Sequence, residues 1–341
     1  MNKNVKMLFA VVVLLSLTLG CIGQEEEPEQ VPEEMKFAIV FATGGLGDKS
    51  FNDSCYEGAM RIKEEYDVDF DYVEPTAIAE YEGFLRQYAR SEAYGIIVSI
   101  GFDQADALTV VADEYPNQKF AIVDMVVDKP NVVSLVFREN EGAFLVGVAA
   151  AEKNQTNKIG FVGGMDIPLI RRFLTGYKYG AEYVNPDIEV SWKYVGDWSD
   201  PAKGKELALA QIDEGVDILL SAAGRSGLGA IEAAYQQGIL VIGVDSDQSQ
   251  TVEGVSPETF LCSMMKRVDI AVYETVKSVI LGTFQGGIQS YGVAEDGVGP
   301  FWTLSGQPQE LQDKVEELRS KVASGEIQVP TDIDENGEYI W

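Results

Sequence analysis

The chain has 341 residues, with 55 Asp and Glu against 26 Lys and Arg, no His, and a formal net charge of −29. So acidic a surface repels nucleic acid and offers no electrostatic footprint for binding it. The lack of His excludes imidazole acid–base catalysis, His-activated nucleophiles and the usual zinc ligand sets, and no metal or cofactor is expected.

At the N-terminus, Lys3 and Lys6 precede an apolar run from Met7 to Leu17, broken only by Ser16, which leads into Thr18-Leu19-Gly20-Cys21. A basic start, a short apolar stretch and a small residue before the cut describe a secretory signal over residues 1–20. The run falls short of the roughly 20 apolar residues that a bilayer span needs. Gly20-Cys21 resembles a lipobox, which would make Cys21 the acylated N-terminus of the mature protein. Thr18 stands where the common bacterial pattern has Leu, and Gly-Cys-Ile-Gly resembles junctions in archaeal lipoproteins. Residues 21–35, rich in Gln, Glu and Pro, cannot bury enough apolar surface to fold and read as an extended acidic linker. Removing the leader takes away Lys3 and Lys6 but no acid, so the mature chain is two charges more negative. Its length of about 300 residues predicts two domains.

Lys36 to Ala42 opens the folded part with a continuous apolar run, as expected of a strand buried on both faces. A glycine turn at Gly44-Gly45-Leu46-Gly47 and a helix to about Tyr66 follow. Strands are predicted at Phe70–Val73, Gly95–Gly101, Lys119–Asp124 and Val132–Phe137, with helices at Glu80–Tyr94 and Asp103–Tyr115. After an apolar helix around Phe144–Ala151 the pattern repeats, with strands at Lys158–Gly163, Val190–Val195, Ile218–Ala222 and Leu240–Val244. Helices fill the gaps at Ile170–Val184, Pro201–Glu214 and Gly229–Gln237. This alternation predicts an α/β protein of two doubly wound parallel-sheet domains, residues 36–137 and 138–260. Leu261-Cys262-Ser263-Met264-Met265 reads as a strand passing back between the domains. It starts a return segment, about 261–341, that packs partly on the first domain and includes helices at Val268–Leu281 and Pro308–Val322. Cys55 and Cys262 read either as a disulfide or as two separate buried thiols.

In open parallel sheets ligands bind beyond the carboxyl ends of the strands. The residues there are Asp48 to Asn52, Gly101-Phe102, Asp124, Asp197-Trp198, Gly224-Arg225 and Asp245-Ser246-Asp247. Carboxylates and aromatic rings recur among them. No Gly-x-x-x-x-Gly-Lys loop is present, and the first glycine turn lacks dinucleotide-loop spacing.

Gly47-Asp48-Lys49-Ser50-Phe51-Asn52 followed by Tyr56-Glu57-Gly58 resembles the opening signature of the basic membrane protein family of lipoproteins, purine-nucleoside receptors of ABC transporters. The likeness continues in order through Gly160–Gly164, Phe173-x-x-Gly176-x-x-x-Gly180-Ala181, Val195–Lys205, Ala222–Gly224, Ile242–Gln248 and Ser263–Arg267. It implies a type I periplasmic-binding fold joined by a multi-crossover hinge, here near Phe137–Asn140, near Asp247–Leu261 and around Gly282. It also implies a non-catalytic, lipid-anchored receptor at the outer face of the cell membrane. Such a receptor hands inosine, guanosine or adenosine to an ABC permease.

By the same resemblance, Phe51 supplies one of two rings that sandwich the base, and Trp198 stands where the other ring is usually Phe. Asn52 and Asp48 are placed to read base edges, although Asp48 is equally suited to cap the helix that follows. Asp124 and Asp245 match acceptors of ribose hydroxyls. Lys266 matches a cation near the sugar, or else pairs with Asp245. Gly224 lets backbone approach the ligand. Arg225 replaces a small residue and is expected to face solvent, the alternative being that it leans over the site. Two other readings are a same-fold receptor for a simple sugar or other small metabolite, and a nucleoside hydrolase with clustered aspartates around Ca²⁺. Against the hydrolase stand the matched Lys266, which competes with a cation, and the absence of His. A sensing role instead of transport leaves the same sequence.

Overall fold

A computed structural model describes residues 35–302, 306–334 and 337–341. The signal segment, Cys21 and the acidic linker up to residue 34 lie outside the described residues.

The first half runs β1 (Lys36–Val40), α1 (Phe51–Tyr66), β2 (Phe70–Val73), α2 (Tyr81–Ser91), β3 (Tyr94–Ile100), α3 (Ala105–Glu114), β4 (Phe120–Val123) and β5 (Val132–Phe137). The second runs α4 (Glu139–Lys153), β6 (Lys158–Gly163), α5 (Pro168–Val184), β7 (Glu189–Tyr194), α6 (Pro201–Asp213), β8 (Ile218–Ala222), α7 (Gly227–Gln237), β9 (Leu240–Asp245), α8 (Gln248–Thr251) and β10 (Phe260–Lys266). The chain ends with α9 (Val268–Ile280), β11 (Gly287–Tyr291), β12 (Val298–Phe301), α10 (Gln309–Ala323), β13 (Asp332–Ile333) and β14 (Tyr339–Ile340).

Twelve of these strands form two six-stranded sheets, ordered β11-β5-β4-β3-β1-β2 and β12-β10-β9-β8-β6-β7, and β13 pairs antiparallel with β14. All pairs within the six-stranded sheets are parallel except β10 with β12. The orders superimpose strand for strand, so β4 corresponds to β9 and β5 to β10. The continuous apolar runs are buried for the reason the sequence implies: helices cover both faces, and Phe37 to Val40 and Ile218 to Ala222 have almost no solvent contact.

Leu261–Met265 does not pass between the lobes. It lies in β10, which pairs with β9 in the second sheet, so that sheet extends through Lys266. The crossings between lobes are therefore Phe137–Glu139, Lys266–Val268 and Tyr291–Val298. The first agrees with the expected hinge; the positions near Asp247–Leu261 and Gly282 do not. The connection from β9 to β10, residues 246–259, stays within one sheet, because α8 and its flanking loops supply the dozen or more residues that a crossover between parallel strands needs. Beyond the second crossing, α9 returns to the first lobe and lies along α1, close enough that a Cβ on Gly58 would fall 2.3 Å from the Asp269 carbonyl oxygen. Cys55 on α1 and Cys262 on β10 are separate buried thiols, and burial pushes both upward in pKa.

Helices α4 and α5 meet backbone to backbone. Cβ atoms on Gly176 and Gly180 would fall 2.1 and 2.0 Å from the carbonyl oxygens of Asn140 and Phe144. The Gly-x-x-x-Gly spacing is thus a packing requirement, and it draws the start of α5 toward the strand ends. Among the described residues no helix is long and apolar enough to cross a membrane.

Candidate functional site

Between the lobes, at the carboxyl ends of both sheets, lies a cavity of about 700 Å³ including its mouth. Asp48, Phe51, Asn52, Asp124, Trp198, Gly224, Asp245 and Lys266, the eight positions singled out from sequence, all line it. Four come from the first lobe and four from the second.

Asp48 accepts hydrogen bonds from the backbone N–H groups of Ser50 (3.0 Å), Asn52 (2.8 Å) and Asp53 (3.2 Å), and from the Asn52 side-chain amide (3.1 Å). Its acceptor capacity is taken up by its own loop, so it anchors the start of α1. Asn52 also accepts at Oδ1 from the Ala42 N–H (3.1 Å). A backbone N–H can only donate, so this bond fixes which end of the amide is oxygen. One Nδ2 hydrogen remains uncommitted.

Asp124 and Asp245 stand at corresponding places after β4 and at the end of β9, both in the left-handed region with φ of +73° and +65°. Few residues other than Gly adopt it, Asp and Asn being the usual exceptions. Two buried carboxylates thus converge from opposite sheets. Burial raises the Asp124 pKa against the pull of Lys266, and burial pushes Asp245 up to about 7 despite Lys266 and a hydrogen bond from the Ser50 hydroxyl.

Lys266 does not pair with Asp245 as one expectation had it. Its ammonium lies 2.6 and 2.7 Å from the two Asp124 oxygens, across the cleft, and 3.1 Å from Glu139, which Arg172 meets at 2.7 Å. Burial alone would lower its pKa, but Asp124, Glu139 and Asp245 together raise it. The rings of Phe137, Phe51 and Phe173 lie 5.1, 5.3 and 5.8 Å from the ammonium.

The Trp198 indole packs against Gly164, where a Cβ would fall 2.2 Å from its ring. Its loop is braced by Ser226, whose N–H donates to the Trp198 carbonyl (3.0 Å) and whose hydroxyl donates to that of Asp197 (2.7 Å). Arg225, expected to face solvent, instead crosses the cleft and donates through Nη2 to the Leu46 carbonyl (2.6 Å). The acidic cavity and an exposed carbonyl on the facing loop draw it inward. Further cross-cleft bonds run to the Lys49 carbonyl from Gln248 (2.9 Å) and Ser246 (3.3 Å). The lobes are closed on one another.

Sequence reasoning did not assign Phe102, Asp103, Leu169, Ile170 or Phe173, which also line the cavity. Phe102 follows a strand end and was open to inspection there. The other three apolar residues belong to the first turns of α5, and only the helix-packing glycines hint that this end enters the cleft.

Residues 35–332 match the family of ABC transporter substrate-binding proteins described as PnrA-like. An uncharacterised lipoprotein of Pyrococcus abyssi is 36% identical over 97% of this chain and 85% of its own. The ABC transporter nucleoside-binding protein BmpA of Lactococcus lactis is 33% identical over 97% of this chain and all of its own length. Among solved structures, an ABC transporter solute-binding protein from Aeropyrum pernix superimposes with a TM-score of 0.80 at 34% identity, covering 89% of this chain and 95% of that one.

Proposed function

This chain belongs to the basic membrane protein family, the PnrA-like substrate-binding proteins of ABC transporters, and from that premise we propose that its cleft holds a purine nucleoside for delivery to a membrane permease. The family binds and does not catalyse, so the cavity is a receptor site. The base lies between Phe51 and Trp198, one ring from each lobe, and the ribose hydroxyls donate to Asp124 and Asp245. Lys266 favours the ionised form of Asp124 beside the sugar, against the effect of burial. Asp48 acts through the loop it anchors. Cys21 carries a lipid that keeps the exported protein at the outer face of the membrane, with residues 21–35 as its tether.

The observation that carries this reading is the composition of one cavity: aromatic rings from opposite lobes together with two left-handed aspartates at corresponding strand ends. Stacking rings suit a flat heterocycle and buried charged acceptors suit a polyol. The name of the Lactococcus lactis relative supports the nucleoside, and that of the Pyrococcus abyssi relative supports the anchor.

Calorimetry of the mature chain with inosine, guanosine, adenosine, cytidine and ribose tests the reading. A purine nucleoside should bind at micromolar or tighter affinity, with ribose far weaker. Tight binding of ribose with no purine nucleoside bound would replace the nucleoside reading by the sugar receptor.

A further inference from the structure

We propose that Arg225 makes this site selective for nucleosides whose base presents hydrogen-bond acceptors, so that 6-oxopurines are taken in preference to 6-aminopurines. The inference rests on the nucleoside reading above and deepens it.

Arg225 and Trp198 form one braced unit. Ser226, the next residue, is bonded to the carbonyls of Trp198 and Asp197, and its hydroxyl accepts from the Asp200 N–H at 2.8 Å. The bonds that hold the Trp198 loop therefore also hold the backbone beside Arg225, and both side chains line the same cavity. The bond from Nη2 to the Leu46 carbonyl fixes the plane of the guanidinium across the cleft. Arg225 lines the cavity, and its Nε is buried with no acceptor among the described residues. A buried donor of this kind carries a free-energy cost until a partner arrives, and a ligand that supplies the partner recovers it.

On the facing lobe, beside Phe51, the uncommitted group is also a donor: the second Nδ2 hydrogen of Asn52. The nearby Asp48 carboxylate is consumed by its own loop. The free polar atoms beside the two rings thus match a base edge with two acceptors. Guanine and hypoxanthine present N7 and O6, both acceptors, whereas adenine presents N7 and an amino donor. An amino group facing Nε would set donor against donor and leave Nε unpaired, the kind of mismatch by which polar sites discriminate most strongly. A phosphate is not the natural partner. Asp48, Asp103, Asp124 and Asp245 all line the same cavity, and Lys266 is already engaged by Asp124.

The test is calorimetry of the mature protein and its Arg225→Met variant with inosine, guanosine, adenosine and purine riboside, which lacks any 6-substituent. Inosine and guanosine should bind the unmodified protein about tenfold or more tighter than adenosine or purine riboside. In Arg225→Met that ratio should fall toward one. Loss of the Leu46 bond weakens closure for every ligand alike, so the ratio rather than the affinity is the readout. Purine riboside removes the acceptor from the ligand side and keeps the comparison valid even if the variant folds poorly. Equal affinities in the unmodified protein, or a ratio unchanged in the variant, would overturn the inference while leaving the nucleoside reading intact. A preference for adenosine would also overturn it and would assign edge recognition to Asp103. Absence of binding by all four nucleosides would sink the nucleoside reading itself, and this inference with it.

Discussion

The ammonium of Lys266, at the end of β10, lies 2.6 Å from one oxygen of Asp124 and 2.7 Å from the other, and Asp124 follows β4 in the opposite sheet. The pair therefore ties the two lobes together, with Lys266 and Asp124 side chains only 2% and 3% exposed. Replacing Lys266 by Met leaves Asp124 and Glu139 facing each other without their common cation. Breaking a buried pair from one side costs roughly 3–5 kcal/mol. The lower end is expected, because Arg172 still faces Glu139. Urea denaturation should show this loss, and adding Asp124→Asn to Lys266→Met should recover part of it. An unchanged midpoint in the single variant would contradict the cross-lobe role.

Asp245 gives a pH dependence with a definite sign. Burial pushes its pKa from 3.8 up to about 7, above the value in an unfolded chain. Its protonated form therefore favours the ligand-free closed fold, and that contribution is lost as pH rises from 3.8 through about 7. Ribose hydroxyls that donate to the carboxylate favour its ionised form, so the complex holds fewer protons than the free protein. Nucleoside affinity should rise with pH up to about 7, by at most about tenfold per unit, and level off above. Calorimetry across this range checks it. In Asp245→Asn the slope should diminish and binding should be weaker at every pH; an unchanged slope would assign the titration elsewhere, Asp124 being another carboxylate whose pKa burial raises.

Gly164 sets the position of the indole. A Cβ there would fall 2.2 and 2.4 Å from two atoms of the Trp198 ring, so Gly164→Ala must displace it. Trp198 is only half-buried, and its shift should change the melting temperature little. Affinity for a purine nucleoside should fall by roughly 1–3 kcal/mol, the scale of one base–aromatic stack. Phe51→Ala should cost a similar amount from the other lobe. Full affinity in both variants would remove the two rings from the binding site.

The sequence makes the strands of both sheets legible because parallel strands covered on both faces must be continuously apolar, as Phe37–Val40 and Ile218–Ala222 are. Strand ends then locate the cleft: seven of the eight site positions stand there, Lys266 comes from the family resemblance alone, and all eight line one cavity. Long-range partners are not legible in the same way. Lys266 is close in sequence to Asp245, yet it pairs with Asp124, because the crossings bring β10 beside the end of β4 when the lobes close. The hinge near Asp247–Leu261 was misplaced because α8 and its flanking loops look like a linker, although they join neighbouring strands of one sheet. Arg225 follows a glycine at a surface turn, and nothing local reveals that the facing loop offers it the Leu46 carbonyl. The edge strands β11 and β12 carry no continuous apolar run, since their outer sides are partly solvated.

The glycines of α5 separate packing from helix propensity. At Gly180 an added Cβ would fall 2.0 Å from the Phe144 carbonyl oxygen, which is backbone and cannot rotate away. Gly180→Ala must push α4 and α5 apart, and overpacking of this kind costs typically about 1–3 kcal/mol. Gly83, in the exposed face of α2, has nothing within 4 Å of the same added atom. Gly83→Ala should therefore stabilise the protein by roughly 0.5–1 kcal/mol through propensity alone. The two substitutions are chemically identical and should move the denaturation midpoint in opposite directions. Because α5 carries Leu169, Ile170 and Phe173 into the cavity, Gly180→Ala should also weaken ligand binding, whereas Gly83→Ala should not. If both variants were stabilised, the close approach of α4 and α5 would not be the reason for glycine at position 180.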